Sequence, residues 1–270
     1  MSHDLLAFVG GGIMAAAIIG GLRAAGRPAD TILVIDPGQA QRAKLAAEHG
    51  VRTQAVADAA LARAAVVVWA VKPQLFGEAA APCAAHVRGA LQFSVMAGIR
   101  SDAIVRATGS QRVVRSMPNT PALIGQGIAG LYARDAVSAD ERHTAEALLA
   151  PTGRTLWVER EEDLDAVTAL SGSGPAYVFY FVEAMMQAAQ EMGLSAEQGR
   201  QLALATFAGA TALAQASSEP PEVLRERVTS KGGTTYAALT SMDASGVKTA
   251  FVKAIRAAQQ RARELGDQFG

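Results

Sequence analysis

The sequence predicts an α/β domain on a mostly parallel, doubly wound sheet, followed by an all-α domain that pairs with a second copy of the chain. Three observations carry this expectation. Short apolar runs alternate with helical stretches through Val158, and a glycine-rich turn directly follows the first run. From Glu161 onward the apolar residues recur at helical spacing instead. The expected division is 1–160 and 161–270, with the charged run Val158–Asp165 as the junction.

In chain order, Leu5–Val9 reads as a strand and Ile13–Ala25 as a helix, Ile32–Ile35 as a strand and Gln39–His49 as a helix, Val66–Val71 as a strand and Gln74–Cys83 as a helix. Leu91–Met96 and Val113–Met117 follow as strands, and the strands Gly127–Tyr132 and Thr155–Val158 flank a helix near Ala139–Ala150. Runs that stay apolar without alternating belong to strands buried on both faces, the condition of a parallel sheet wrapped by helices. In the second half, Tyr177, Phe181, Met185, Ala188 and Met192 share one helical spacing, and Leu202, Phe207, Ala210 and Leu213 another. Breaks fall at Gly193-Leu194, Pro220-Pro221 and Lys231-Gly232-Gly233. A helix apolar on most sides has to be buried, and so small a domain offers little to bury it in. A homodimer through the C-terminal helices, or a higher oligomer, is therefore expected. Tyr177, Phe181 and Met185 are assigned to core or dimer interface.

The bulk properties remove several function classes. The chain has 270 residues with 25 Lys+Arg against 25 Asp+Glu, a formal net charge of zero. A nucleic-acid partner calls for a basic surplus, and none exists. Cys83 is the sole cysteine, which excludes an internal disulfide and suits a reducing cytoplasm; it is expected to be a small buried residue. Met1-Ser2-His3-Asp4 has no basic segment, and Gly10, Gly11 and Gly12 interrupt the apolar run that follows, so no signal peptide is read there. No stretch reads as a membrane span. His3, His49, His86 and His143 have no metal-ligand spacing and are assigned to the surface.

The turn Gly10-Gly11-Gly12-Ile13-Met14-Ala15 fits G-x-G-x-x-A between a strand and a helix. In that setting Gly10 permits the tight turn, Gly12 lets backbone approach a pyrophosphate, and Ala15 lets the helix pack on the sheet. Free N–H groups at the helix N-terminus then receive the anion. The turn is expected to be the phosphate-binding turn of a Rossmann domain, an ordinary glycine-rich turn being its plainer reading. Asp36 ends the second strand, where an acidic side chain holds the adenosine ribose hydroxyls and repels a 2′-phosphate; this favours NADH over NADPH, with Arg42 nearby to offset the repulsion. Asp36-Pro37 also suits an ordinary helix start.

Four further segments make the reading specific: Ala70-Val71-Lys72-Pro73; Arg115-Ser116-Met117-Pro118-Asn119-Thr120-Pro121; Asp165 to Tyr177, which reads D-A-V-T-A-L-S-G-S-G-P-A-Y; and Val228-Thr229-Ser230-Lys231-Gly232-Gly233-Thr234-Thr235. Together with the N-terminal turn, and over essentially the whole chain, they resemble the pyrroline-5-carboxylate reductases. The resemblance implies an N-terminal Rossmann domain and a helical dimerisation domain. It also implies reduction of L-1-pyrroline-5-carboxylate to L-proline with NADPH or NADH. It places the substrate at Ser230, Gly232, Gly233, Thr234, Thr235 and Ser171, with the loop often supplied by the partner subunit. It places the cofactor along Gly10, Gly11, Gly12, Ile13, Met14, Asp36, Ala70, Val71, Lys72, Pro73, Ala97 and Asn119. The sequence departs from the family at Ile13, where Asn or Gln is common; at Lys231, which replaces a proline of the loop; and at Asp36, where many relatives carry a small hydroxyl residue.

The chemistry is consistent with these residue types. A protonated cyclic imine is already electrophilic, so its reduction needs alignment more than a base. The backbone N–H groups of Gly232-Gly233-Thr234-Thr235, ahead of a helix expected over Tyr236–Met242, suit a carboxylate, although locally the same residues also suit an ordinary N-cap. Thr235 is the candidate catalytic residue, as hydrogen-bond donor to the ring nitrogen or as a relay from water. Ser171–Pro175 reads as a kink or a new helix start with substrate contact, close helix packing being its plainer role. A rival, a β-hydroxyacid dehydrogenase, needs a base to take an alcohol proton, yet Leu164–Leu194 holds no Lys, Arg or His. A related imine reductase and a non-catalytic NAD(P) sensor compete as well; retention of the Gly-Gly-Thr-Thr loop speaks against the sensor.

Overall fold

The computed structural model describes residues 4–269, so His3 and the beginning of the chain lie outside the described residues. The chain forms two compact units, one of residues up to Ser173 together with the stretch from Ala257, the other Gly174–Arg256. The division falls later than the expected 160/161 boundary.

Unit 1 is an eight-stranded sheet in the order β3-β2-β1-β4-β5-β6-β7-β8. Its strands are β1 (Leu5–Val9), β2 (Ile32–Ile35), β3 (Arg52–Gln54), β4 (Ala64–Trp69), β5 (Leu91–Ser94), β6 (Val113–Met117), β7 (Gly127–Ala133) and β8 (Gly153–Trp157). Strands β1 to β6 are parallel, β7 runs antiparallel to β6, and β8 is parallel to β7. Helices α1 (Ile13–Ala24), α2 (Gln39–His49) and α6 (Ala139–Leu149) supply residues to one apolar layer, with Leu6, Phe8, Val68 and Phe93 from the strands. Helices α3 (Phe76–Ala80), α4 (Ala84–Val87) and α5 (Ser101–Thr108) supply the other, with Ala7, Val9, Val67 and Trp69. Successive strand residues thus feed opposite layers, which is why β1, β2 and β4 read as unbroken apolar runs. The one buried amide inside them is fully used: Trp69 Nε1 donates to Gln92 Oε1 at 3.0 Å, and Gln92 Nε2 donates to the Val87 and Ala90 carbonyls.

Several elements differ from expectation. The third apolar run forms a strand over Ala64–Trp69 rather than Val66–Val71, because the backbone leaves the ladder after Trp69 toward Pro73. The helix expected over Gln74–Cys83 is reduced to a 3₁₀ turn (Pro73–Leu75) and α3, which stops before Pro82, a residue with no N–H to continue it; α4 begins beyond the expected range. β3 and α5 add to the expected set. β3 is a short polar edge strand without an apolar signal, whereas α5 carries Ser101 and Asp102 at its start and ends on Gly109 in the left-handed conformation.

Glu161 to Gly172 packs onto this sheet. Helix α7 (Asp163–Val167) sets Val167 and Leu164 against Gly130 of β7, where a Cβ would lie 2.7 Å from Val167 Cγ1. A π-helical turn, Thr168–Gly172, follows. Helix α12 (Val247–Phe269) begins in unit 2 and ends in unit 1, with Leu265 against Gly98 and Gly266 against Arg100.

Unit 2 contains α8 (Gly174–Glu191), α9 (Ala196–Ala216), α10 (Pro221–Arg227), α11 (Thr234–Ala244) and the first part of α12. α9 starts at a capping box, with the Ser195 hydroxyl and the Gln198 side chain each bonded to the other's backbone N–H. α8 and α9 approach closely because Gly199 faces Ala189, where a Cβ would meet Ala189 Cβ at 2.9 Å. Tyr177, Phe181 and Phe251 form an edge-to-face cluster. Few side chains of this unit are buried within the chain, while Phe179, Tyr180, Leu202, Leu213 and Met242 are all at least half exposed. That is the surface a partner has to cover.

Two outcomes test the packing of unit 1. Gly153 has φ +137°, and a Cβ there would overlap the Gly127 carbonyl. Gly153→Ala is therefore expected to cost about 3 kcal/mol or more in urea unfolding. Cys83 is 1 % exposed, its thiol donates to the Ala79 carbonyl, and burial pushes its pKa up from 9.0 to about 11. The native thiol should stay unreactive to a disulfide reagent at pH 8 and react fully in denaturant. Between pH 9 and 11 the proton leaves only the unfolded chain. Across that window stability should therefore fall more steeply for wild type than for Cys83→Ala.

Candidate functional site

The strand order reverses between β1 and β4, and the carboxyl ends of β1, β2, β4, β5 and β6 share one edge of the sheet. Such a switch point leaves a crevice where side connections diverge. Gly10 donates its N–H to the Ile35 carbonyl and Ala70 donates to the Val9 carbonyl, both at 2.8 Å, lacing the three strand ends together. Gly10 has φ +95°, and a Cβ on it would sit 2.7 Å from the Ala70 oxygen and 2.9 Å from Val71 Cγ1. No other residue fits there. Gly12 is the N-cap of α1 and has no side-chain cap; a Cβ on it would meet only the Ala70 oxygen, at 4.0 Å. The first turn of α1 carries no acidic residue, so its N–H groups form a bare, positively polarised cradle beside open space. Ile13 is exposed at its mouth, Met14 is half-buried, and Ala15 is fully buried against the sheet.

Asp36 closes the turn from the β2 side. Its Oδ2 accepts from the Gly11 N–H and its Oδ1 from the Gly38 N–H, both at 2.8 Å. Gln41 Nε2 donates to the Gly11 carbonyl, and Arg42 Nη1 donates to the carbonyls of Asp36 and Pro37. A dinucleotide fits this arrangement: a glycine-walled cradle for its pyrophosphate and, at the adjacent strand end, a carboxylate whose remaining lone pairs can accept from hydroxyls.

On the same edge lie Ala70, the half-buried Val71 and Pro73, the exposed Lys72, and the half-buried Ala97 after β5. Asn119, after β6, is 9 % exposed. Its Oδ1 accepts from the Ile128 N–H at 3.0 Å and its Nδ2 donates to the Ser171 carbonyl at 3.2 Å. Ser171 is thereby brought into the same unit as the cofactor-side residues. Ser230, Gly232, Gly233, Thr234 and Thr235 belong to unit 2.

The loop in unit 2 has its own logic. Gly232 has φ +75° and open space where a Cβ would be, while a Cβ on Gly233 would fall 2.6 Å from Ser230 Oγ. Gly233 donates to the Ser230 carbonyl and serves as N-cap of α11. The helix begins at Thr234, two residues before the expected Tyr236. Both threonines therefore occupy its first turn, which has no acidic residue and no side-chain cap. Thr234 is exposed, Thr235 half-buried, and Lys231 exposed beside them.

Sequence reasoning missed a buried ion cluster behind the site. Arg115 of β6, 5 % exposed, pairs with Glu161 at 2.7 Å, and Arg100 pairs with Asp165 at 2.7 Å. The Glu161 carboxylate also accepts from the N–H and hydroxyl of Ser101 at 2.6 Å, capping α5. Burial holds the Arg115 guanidinium below its usual pKa against the opposing charge of Glu161. The sign of it in the sequence is the charged run ahead of α7, which reads equally well as a solvated junction.

Residues 161–265 match the family model described as pyrroline-5-carboxylate reductase dimerisation, and residues 5–98 match one described as NADP oxidoreductase, coenzyme F420-dependent. The chain is 46% identical to a pyrroline-5-carboxylate reductase of Pseudomonas aeruginosa and 42% identical to one of Haemophilus influenzae, in each case over 100% of both chains. Its fold matches the solved pyrroline-5-carboxylate reductase of Coxiella burnetii with a TM-score of 0.91 at 33% identity, covering 98% of this chain and 99% of that one. It matches the pyrroline carboxylate reductase of Plasmodium falciparum, solved with NADP bound, with a TM-score of 0.88 at 26% identity over 98% and 99% of the two chains. With strand order, glycine turn and helical second half all in agreement, the chain belongs to the pyrroline-5-carboxylate reductase family.

Proposed function

We propose that this chain, as a homodimer, reduces L-1-pyrroline-5-carboxylate to L-proline with NADH or NADPH in the cytoplasm. The single observation carrying the substrate assignment is the start of α11, where a glycine with positive φ and two threonines leave a first helical turn uncapped and free of acidic side chains. The carboxylate of the ring is the anion this turn is built for. Gly232 and Gly233 permit close approach, and the Thr235 hydroxyl donates to the ring nitrogen or relays a proton to it from water. Gly10, Gly11, Gly12, Ile13 and Met14 hold the dinucleotide at the mouth of α1. Val71, Lys72, Pro73 and Ala97 line its path along the strand ends. When bound, the reduced nicotinamide supplies the hydride. The protein's share is orientation, worth about 7–11 kcal/mol in favourable cases. No Lys, Arg or His lies between Leu164 and Leu194 to act as a base, which fits a substrate that arrives already activated.

Asp36 favours NADH. A carboxylate at the end of β2 repels a 2′-phosphate bound beside it, and Arg42 Nη1 is already engaged by two carbonyls.

Steady-state kinetics with pyrroline-5-carboxylate and each coenzyme test the assignment, and imine-dependent oxidation of NADH is expected. Thr235→Ala should lower kcat at least about tenfold, and a change within twofold would remove the hydroxyl from the mechanism. Asp36→Ser should move the NADPH-to-NADH ratio of kcat/KM toward NADPH by at least about tenfold, as a like charge is withdrawn. An unmoved ratio would take Asp36 out of coenzyme choice.

A further inference from the structure

The π-helical turn Thr168–Gly172 interrupts what would otherwise be one helix from α7 into α8. Its wide bond runs from the Ser173 N–H to the Thr168 carbonyl at 2.8 Å. Such turns are rare and costly, and they persist where the surroundings hold them. Here the Thr168 and Ser171 hydroxyls donate back to the Leu164 and Val167 carbonyls at 2.7 and 3.0 Å. These back-bonds bend helices. The remaining hold comes from the end of β6. Met117 packs against Gly172, where a Cβ would lie 2.6 Å from Met117 Cε, and Asn119 Nδ2 donates to the Ser171 carbonyl.

The Asn119 amide has a defined orientation. A backbone N–H on one side requires its oxygen there, and a backbone carbonyl on the other requires its nitrogen. It thus ties the start of β7 to the π turn, from a loop on the strand edge where the dinucleotide cradle lies.

We propose that Asn119 is a positioning residue for the ring substrate, acting through Ser171 by holding the π turn, and not chiefly a coenzyme contact. This rests on the reading of the chain as a pyrroline-5-carboxylate reductase. Asn119→Asp keeps an acceptor for the Ile128 N–H but sets an oxygen against the Ser171 carbonyl. Asn119→Ser is too short to span both partners and introduces no charge, so it serves if the aspartate variant folds poorly.

Two measurements on the full-length protein decide the matter. Hydrogen exchange, which needs no ligand, should quicken at amides 168–174 by about five- to tenfold in either variant, the factor one lost buried hydrogen bond gives, and stay unchanged at 10–15. In kinetics, KM for pyrroline-5-carboxylate should rise about tenfold, while kcat and the Kd of NADH, read by its fluorescence, stay within twofold. Unchanged exchange at 168–174 would overturn the clamp. A rise in the NADH Kd with an unmoved imine KM would overturn the role in favour of coenzyme contact. Loss of kcat alone would reduce Asn119 to a structural residue. If the wild type turns over no imine, the substrate part falls together with the reading beneath it, and the exchange result still decides the clamp.

Discussion

The constraint on which the rest of the sheet edge depends is the approach of β1 and β4 at their carboxyl ends. The backbone of Gly10 passes so near the Ala70 carbonyl that no side chain can stand between them. Because the chain turns within that space, α1 starts at once, its first N–H groups pointing away from the sheet with nothing of the protein's own to receive them. The rest of the site is arranged about this turn. Asp36 fixes Gly11 from the neighbouring strand end, Ala15 lets α1 settle on the sheet, and the segments after β4, β5 and β6 emerge along the same edge. The turn is therefore a packing solution first, and the uncapped start of α1 is its consequence.

A second constraint sits behind the sheet edge and is electrostatic. Two arginines and two carboxylates, largely removed from water, bind the start of the 161–172 segment to β6 and α5. Burying such pairs seldom adds net stability over an apolar core, but leaving one partner alone costs several kcal/mol. The cluster ties the segment to β6 and α5 through paired charges that no apolar contact would replace one for one. The family model assigns this segment to the dimerisation region, whereas its contacts belong to the sheet unit. Both descriptions hold, since the segment is where one unit hands over to the other along the chain.

What was legible in the sequence follows from which signals are local. β1 and β2 were readable to the residue because each is an apolar run closed by a turn residue, β6 because Val113-Val114 opens it and Pro118 closes it, and the glycine turn because its neighbours on both sides fix its context. The breaks at Pro73 and Pro82 were present in the sequence but outweighed by the apolar pattern of Gln74–Cys83. β3 gave no signal, being an edge strand of Arg, Thr and Gln that exists only because β2 offers it a ladder. The candidate site divides the same way. Gly232 to Thr235 was picked out by residue type alone. The double use of the Asn119 amide depends on two partners, one 9 and one 52 residues away, and no spacing rule encodes it.

These constraints share a chemical rationale. A ring that enters as an iminium needs no strong base, and across α7 and α8 the chain offers none. What the reaction demands is that a flat electrophile be held at a fixed angle and distance, and an error of about 1 Å costs roughly a hundredfold in rate. Small residues meet that demand better than large ones. A glycine lets backbone dipoles approach a ligand, a threonine offers a short, stiff donor, and neither brings a long side chain whose rotamer freedom would have to be frozen. The cost of using so little side chain is that the backbone itself must be held rigid. That explains why the ion pairs, the Asp36 clamp and the Asn119 amide all terminate on main-chain atoms or on the segment that carries them.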